Sequence, residues 1–200
     1  MRMLAIETAT EACSVALFDD ERVIGAAHEV LGRGHAERLV PMIANLPDRG
    51  RADRICVSLG PGSFTGVRIG IAVAKALAIS WNAEVRGYPS LSLVAHQVDT
   101  AEPLVVCMNG GHGEWFVQAF DEDRAPCARF QSLAPDDAVA QFGQHLAVGN
   151  RAQEFVAHRG SGEGRFLLPE AAHLGKVPRH CLTDHVAPIY GRAPDAKLPA

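Results

Sequence analysis

Apolar and polar positions along the chain switch between two periods, and the switches divide it into elements. Met3 to Glu7 is a short apolar run ending on an acid, Thr8-Ala9-Thr10 is a polar turn, and Cys13 to Phe18 alternates loosely. Asp19-Asp20-Glu21 makes a second turn, and Arg22 to Val30 is a third extended run. Two hairpin-linked strands after an acid-bearing first strand predict an antiparallel start. Beyond the loop Gly32-Arg33-Gly34, the residues Ala36, Leu39, Val40, Ile43 and Leu46 recur at helical spacing, which predicts a helix over about 35–46. Pro41 lies inside it, removes one backbone bond and is expected to kink it.

Ile55 to Leu59 reads as a fourth strand. It runs into Gly60-Pro61-Gly62-Ser63-Phe64-Thr65-Gly66-Val67-Arg68-Ile69-Gly70 and then into a long apolar stretch ending at Trp81. Strand, glycine-rich turn and helix follow one another here, and such a turn lets backbone N–H groups face an anion or another chain. From Val67 to Ile79 the only charged side chains are Arg68 and Lys75. A helix that is apolar nearly all round is expected to be covered on two sides. Val85 to Tyr88 is a short extended piece, and a third helix is predicted from Ser90, read as its cap, to Val98.

Glu102-Pro103 marks a boundary, after which the pattern restarts. Strands are predicted over 104–108, 114–120, 127–133 and 145–148, helices over 135–142, 151–157 and 166–174, and a glycine-rich turn over 109–113. The expected division is a first lobe at 1–101, a second, shorter lobe at 102–187, and a tail at 188–200 whose three prolines favour extended chain. One plan repeated, strands first and then helices alternating with strands, predicts an α/β, two-lobe actin-like (ASKHA) or ribonuclease-H-like architecture.

Composition narrows the function without naming it. Hydrophobic residues make up 48% and charged residues 21%, the balance of an ordinary globular chain. The net charge of −4 and the lack of a basic stripe argue against a stand-alone nucleic-acid binder. The five cysteines are scattered with no C-x-x-C pair, which suits a reducing compartment. The chain opens directly into a strand with no signal-peptide pattern, and no uninterrupted apolar run reaches the roughly 18 residues of a membrane span. A cytoplasmic location is expected.

The run Leu4 to Leu17 resembles the first hairpin of the bacterial TsaB (YeaZ) family. Gly34-His35-Ala36-Glu37-Arg38-Leu39-Val40-Pro41-Met42-Ile43 is similar to that family's first helix, Gly60 to Ala78 to its most recognisable block, and Pro188-Ile189-Tyr190-Gly191-Arg192 to its C-terminal end. The resemblance is close over about 1–95 and looser beyond. It implies a non-catalytic paralogue of the enzyme TsaD. Such a subunit pairs with TsaD, together with the ATPase TsaE, to make threonylcarbamoyladenosine at position 37 of tRNA, and meets the tRNA only through the complex. It also implies a homodimer through the same first-lobe helices. The family's Asp-Ala-Arg at the start of the second lobe is replaced here by Asn109-Gly110-Gly111, while Gly113 and Glu114 remain.

Other chemistries fare worse on the residues themselves. TsaD-like enzymes hold a metal with a His-x-x-x-His pair, and the matching stretch here offers only His96; His173, His180 and His185 have no common ligand spacing. No metal and no cofactor are expected. Pro61 stands where a nucleophile elbow needs glycine, so Ser63 and Thr65 read as caps of the second helix. Val67 replaces the lysine of a P-loop. Glu7, Thr8 and Thr10 form the place of a first phosphate turn and Asn109-Gly110-Gly111 that of a second, which leaves weak nucleotide binding or plain hairpin turns as the two readings. The rival functions are a sugar-kinase-like ATPase, a glycoprotease-like peptidase, and a homodimeric interaction protein with another partner.

The partner surface is assigned from the resemblance and from helical spacing together. Leu39, Met42, Ile43 and Leu46 on the first helix and Val67, Ile71, Ala74 and Ala78 on the second are expected to form one exposed apolar face. Arg38, Arg68 and Lys75 are placed at its rim, and His35 and His96 are taken as surface or interface histidines. The stripe Ile69, Ala72, Val73, Ala76 and Ile79 is assigned to the sheet.

Overall fold

The computed structural model describes residues 1–143 and 145–191. The first half folds as β1 (Arg2–Glu7), β2 (Ala12–Asp19), β3 (Arg22–Val30), α1 (His35–Ala44), β4 (Arg54–Ser58), α2 (Phe64–Trp81), β5 (Glu84–Tyr88) and α3 (Ser90–His96). The second half adds β6 (Leu104–Gly111), β7 (Glu114–Phe120), β8 (Gln131–Leu133), α4 (Pro135–Phe142), β9 (Leu146–Val148), α5 (Ala152–Arg159) and β10 (Gly164–Arg165), with short 3-10 turns at Ala171–Lys176 and Arg179–Cys181.

The strands form two five-stranded sheets, ordered β3-β2-β1-β4-β5 and β10-β9-β6-β7-β8. In the first, β1 pairs antiparallel with β2 and parallel with β4, and β5 continues parallel to β4. The second repeats this plan, with β6 antiparallel to β7 and parallel to β9, and with β10 continuing parallel to β9. Two copies of one mixed sheet, each joined by helical crossovers, make up the expected two-lobe α/β architecture.

Period-2 alternation separates the faces of each sheet. Leu4, Ile6, Val15 and Leu17 face α1 and α2, whereas Ala5, Ala16, Phe18, Cys56 and Tyr88 face α3 and the Ala171–Lys176 turn. In the second sheet Val105, Cys107 and Val117 meet α4 and α5, and Val106, Met108, Phe116 and Phe120 meet α3. Every residue of α3 is buried, because Leu93 serves one sheet and Leu91, Val94 and Ala95 serve the other. The seam between the lobes is therefore a hydrophobic core.

Several expected elements are corrected. The helix expected over 166–174 is extended chain followed by a 3-10 turn. Pro169 supplies no N–H and biases the residue before it to extended backbone. The Gln97 side chain serves the backbone there instead, donating to the Leu168 carbonyl (3.0 Å) and accepting from the Glu170 N–H (2.8 Å). The strand expected over 127–133 begins only at Gln131. Ser90 is not a cap; its hydroxyl points to Glu7. The 18-residue α2 has, by length and composition, enough apolar chain to cross a membrane, although its inner face is packed in the core.

Residues 171–191 return to the first lobe. Thr183 and Gly87 exchange backbone hydrogen bonds (2.7 and 2.9 Å), and the Ile189 N–H donates to the Leu59 carbonyl (2.7 Å). The tail expected from Pro188 lies, beyond Gly191, outside the described residues. Cys13, Cys56 and Cys107 are buried, and burial raises all three thiols, Cys13 to about 11 and Cys56 to about 12. These are core residues held in the unreactive thiol form.

Candidate functional site

The glycine-rich loop and α2 form the centre of the first lobe. Ser63 caps the helix as expected, its hydroxyl accepting the Gly66 N–H (3.2 Å), and Asn82 closes the other end in the left-handed region. Gly66, Gly70, Ala74 and Ala78 form a line of small buried residues at four-residue spacing. A Cβ on Gly66 would lie 2.1 Å from the Thr8 carbonyl, and one on Gly70 would lie 2.4 Å from the Thr8 hydroxyl. The helix axis can approach β1 this closely only with its glycines inward.

That choice reverses the expected faces. Val67, Ile71, Ala74 and Ala78 are buried against the sheet and α1, together with Leu39, Met42, Ile43 and Leu46. They are core residues and not an exposed docking face. Ala72, Ala76 and Ile79, assigned to the sheet from spacing, point to solvent, with Ile79 85% exposed, while Ile69 and Val73 are half-buried on the flank. Both stripes are apolar at helical period, so periodicity alone could not orient the helix; the Gly66-x-x-x-Gly70 spacing was the missed signal. The outer face that results runs through Phe64, Arg68, Ala72, Lys75, Ala76 and Ile79, beside Val40 on α1, and Phe64 and Val40 are each about half exposed.

The polar residues assigned to this surface divide. Arg68 and Lys75 are exposed on the outer face. Arg38 is exposed and forks onto Glu29 of β3, with one contact at 2.9 Å. His35 is buried, its Nε2 lying 3.2 Å from the Ala12 carbonyl, so it ties α1 to β2. His96 is likewise buried rather than superficial; its Nδ1 lies 2.8 Å from the Ser92 carbonyl, and burial lowers its pKa.

The first turn is closed. Glu7 and Thr8 are fully buried. The Glu7 carboxyl accepts the Ala9 N–H (2.7 Å) and the Ser90 hydroxyl (3.1 Å), and Ser90 lies 2.5 Å from Ser58. Burial outweighs these bonds and raises its pKa to about 7. The Thr8 hydroxyl donates to the Gly66 carbonyl (2.8 Å), and the half-buried Thr10 hydroxyl accepts the Ala12 N–H (3.2 Å). The loop lies directly on this turn, with the Ser63 N–H donating to the Ala9 carbonyl (2.7 Å) and an added Gly62 Cβ falling 2.1 Å from that oxygen. The assignment of Glu7 and Thr8 as nucleotide contacts is therefore corrected: the glycine-rich loop occupies the approach.

The second turn is tied to the first. Asn150, buried in the turn before α5, accepts the Asn109 N–H (2.8 Å) and donates to both carboxylate oxygens of Glu11 (2.9 and 3.0 Å). Nothing local in the sequence singles out Asn150; only the fold brings it across the seam. Replacing Asn150 with Ala leaves the Glu11 carboxylate and the Asn109 N–H without this partner. The expected cost is about 1–3 kcal/mol in thermal unfolding, with faster hydrogen exchange at Asn109. Unchanged exchange there would remove the tie. Among the described residues no group of three His, Cys, Asp or Glu side chains is placed to hold a metal ion.

Comparisons with known proteins agree with this geometry. The family model of TsaD, tRNA N6-adenosine threonylcarbamoyltransferase, matches residues 20–182. The tRNA threonylcarbamoyladenosine biosynthesis protein TsaB of Escherichia coli is 44% identical over 96% of this chain and 95% of its own length. A solved structure of YeaZ from Pseudomonas aeruginosa superposes with a TM-score of 0.79 at 26% identity, covering 94% of this chain and 99% of that one. The ethanolamine utilization protein EutJ of Carboxydothermus hydrogenoformans shares the fold alone, with a TM-score of 0.55 at 8% identity over 89% of this chain and 90% of that one. With a relative this similar along nearly its whole length and a family model that matches most of the chain, this chain belongs to the TsaB (YeaZ) family, built on the TsaD-type domain.

Proposed function

We propose that this chain is a non-catalytic subunit in the biosynthesis of threonylcarbamoyladenosine in tRNA, acting in the cytoplasm by pairing with a TsaD-type partner and the ATPase TsaE. The observation that carries the pairing is the outer face of α2. This long helix leaves Phe64, Ala72, Ala76 and Ile79 facing solvent in one stripe, flanked by Arg68 and Lys75. Exposed apolar stripes rimmed by charge mark protein interfaces. The small side chains of Ala72 and Ala76 allow a partner helix to approach closely, and a second copy of the chain is the alternative occupant of the same face.

The first turn supports the non-catalytic part of the reading. Its acid and hydroxyl are hydrogen-bonded internally beneath the glycine-rich loop. A subunit of this kind raises activity by binding the competent arrangement of its partner more tightly than the others.

Reconstitution tests the reading. TsaD and TsaE from the same organism, threonylcarbamoyl-adenylate and unmodified tRNA are combined with and without this chain, and modified adenosine is measured. Strong dependence on the chain, with no product from the chain alone, is the expected result. Equal product without it would sink the proposal.

A further inference from the structure

The C-terminal strap places an aromatic ring on the outer face of α2. The Arg68 guanidinium carbon sits 3.5 Å from the Phe64 ring centroid and 5.8 Å from that of Tyr190. Arg68 Nε and Nη2 donate to the Tyr190 hydroxyl oxygen (3.3 and 3.2 Å), and the two rings are 5.5 Å apart. Both rings remain about half exposed. Tyr190 is held there from both sides. The Ile189 N–H bonds Leu59 beside the glycine-rich loop, and Gly191 packs so closely on Phe116 of β7 that an added Cβ would lie 1.9 Å from that ring.

Among the described residues no carboxylate lies within ion-pair distance of Arg68 or Lys75. From Phe64 to Trp81 these two are the only charged side chains, so α2 is cationic on a chain of net charge −4. The Phe64 ring beside the guanidinium carbon and the Tyr190 hydroxyl at its Nε–Nη2 edge position the group, and a positioned guanidinium suits a carboxylate. Holding it before binding removes an ordering cost that a free arginine would carry.

We propose that Phe64, Arg68 and Tyr190 form a prebuilt cationic anchor that receives a carboxylate of the protein partner through Arg68, and that the C-terminal strap serves docking by positioning Arg68 through Tyr190. The inference rests on the docking reading of α2. A protein is favoured over RNA because the anchor is continuous with the apolar stripe Ala72, Ala76 and Ile79, and because phosphate binding calls for a basic stripe that the chain lacks. Arg68 is the contacting group, and Tyr190 is a positioning residue.

Calorimetric binding of the intact chain to the TsaD-type protein of the same organism tests this, with Arg68→Ala, Tyr190→Ala, Tyr190→Phe and the Arg68→Ala/Tyr190→Ala pair, each first checked for unchanged melting. Arg68→Ala is expected to weaken binding about tenfold and to flatten its salt dependence. Tyr190→Ala is expected to weaken it less, Tyr190→Phe to restore part of that loss, and the double variant to bind no more weakly than Arg68→Ala alone, because Tyr190 acts through Arg68. Wild-type affinity in Arg68→Ala and Tyr190→Ala, alongside loss of binding in Ile79→Asp, overturns the anchor and leaves the docking reading standing. An additive double variant overturns the positioning role of Tyr190. Loss of tRNA binding with unchanged protein binding in Arg68→Ala overturns the choice of partner. No binding by the wild-type chain overturns the docking reading itself.

Discussion

Replacing Ile79 with Asp is expected to abolish the proposed association with a TsaD-type partner while leaving the fold intact, whereas replacing Ile71 with Asp is expected to unfold the chain. The two residues lie eight positions apart on α2, and each had been assigned to the opposite side by spacing. Ile79 is 85% exposed, so a carboxylate there stays in water and costs within about 0.5 kcal/mol of stability. At the centre of an apolar interface the same carboxylate must be desolvated, and a loss of roughly a hundredfold or more in affinity is expected. Ile71 is buried between α1 and the sheet, where a charge has no partner and folding fails. The milder Ile71→Ala is expected to cost about 2–5 kcal/mol by the cavity it leaves. Circular dichroism melting and calorimetric binding read the two quantities separately. Full partner affinity in a folded Ile79→Asp protein would remove the outer face from the interface.

The contribution of Glu7 to stability is expected to fall as the pH rises from about 4.5 to about 7. Its pKa is raised by burial to about 7, against an ordinary value of 4.5. Between those values the unfolded chain has released this proton while the folded chain still holds it. The folded state therefore binds more protons, and the free energy of unfolding decreases with pH across that window. Glu7 contributes no penalty below the unfolded value and its full penalty above the folded one. From pH 4 to pH 8 the loss is about 3 kcal/mol. Glu7→Gln keeps an acceptor for the Ala9 N–H and removes the titration. The difference in unfolding free energy between wild type and Glu7→Gln, measured by denaturant titration at several pH values, isolates this one group. A difference that does not change with pH would show that Glu7 titrates at its ordinary value in the fold.

The elements were largely legible because each switch of period carried its own punctuation. Asp19-Asp20-Glu21 closes a hairpin, Gly32-Arg33-Gly34 opens α1, and Gly60 to Ser63 opens α2 with its cap. The failures share one cause. Spacing predicts Leu39, Met42 and Ile43 at the surface and Ile79 in the core, the reverse of what the structure holds, because an amphipathic period states that two faces differ without stating which one meets the sheet. On α2 both faces are apolar, so the pattern was silent even on that difference. For Glu7 and Thr8 the sequence leaves a weak nucleotide site and a plain hairpin turn as two readings, since local sequence does not reveal that a loop fifty residues later lies over them.

The sequence by itself determined the strand and helix order, the repeated two-lobe plan, and membership of a family through the run Gly60 to Ala78, because these depend on local propensity, spacing and residue identity. Only the tertiary structure decided which face of α2 is free, which turns are closed, and which groups meet across the seam. Those outcomes depend on contacts between residues far apart in the chain: Gly66 and Gly70 against Thr8, Asn150 against Glu11, Tyr190 against Arg68. No period along the sequence encodes such a contact. It is selected when close approach, burial and hydrogen bonding are satisfied together in one packed arrangement.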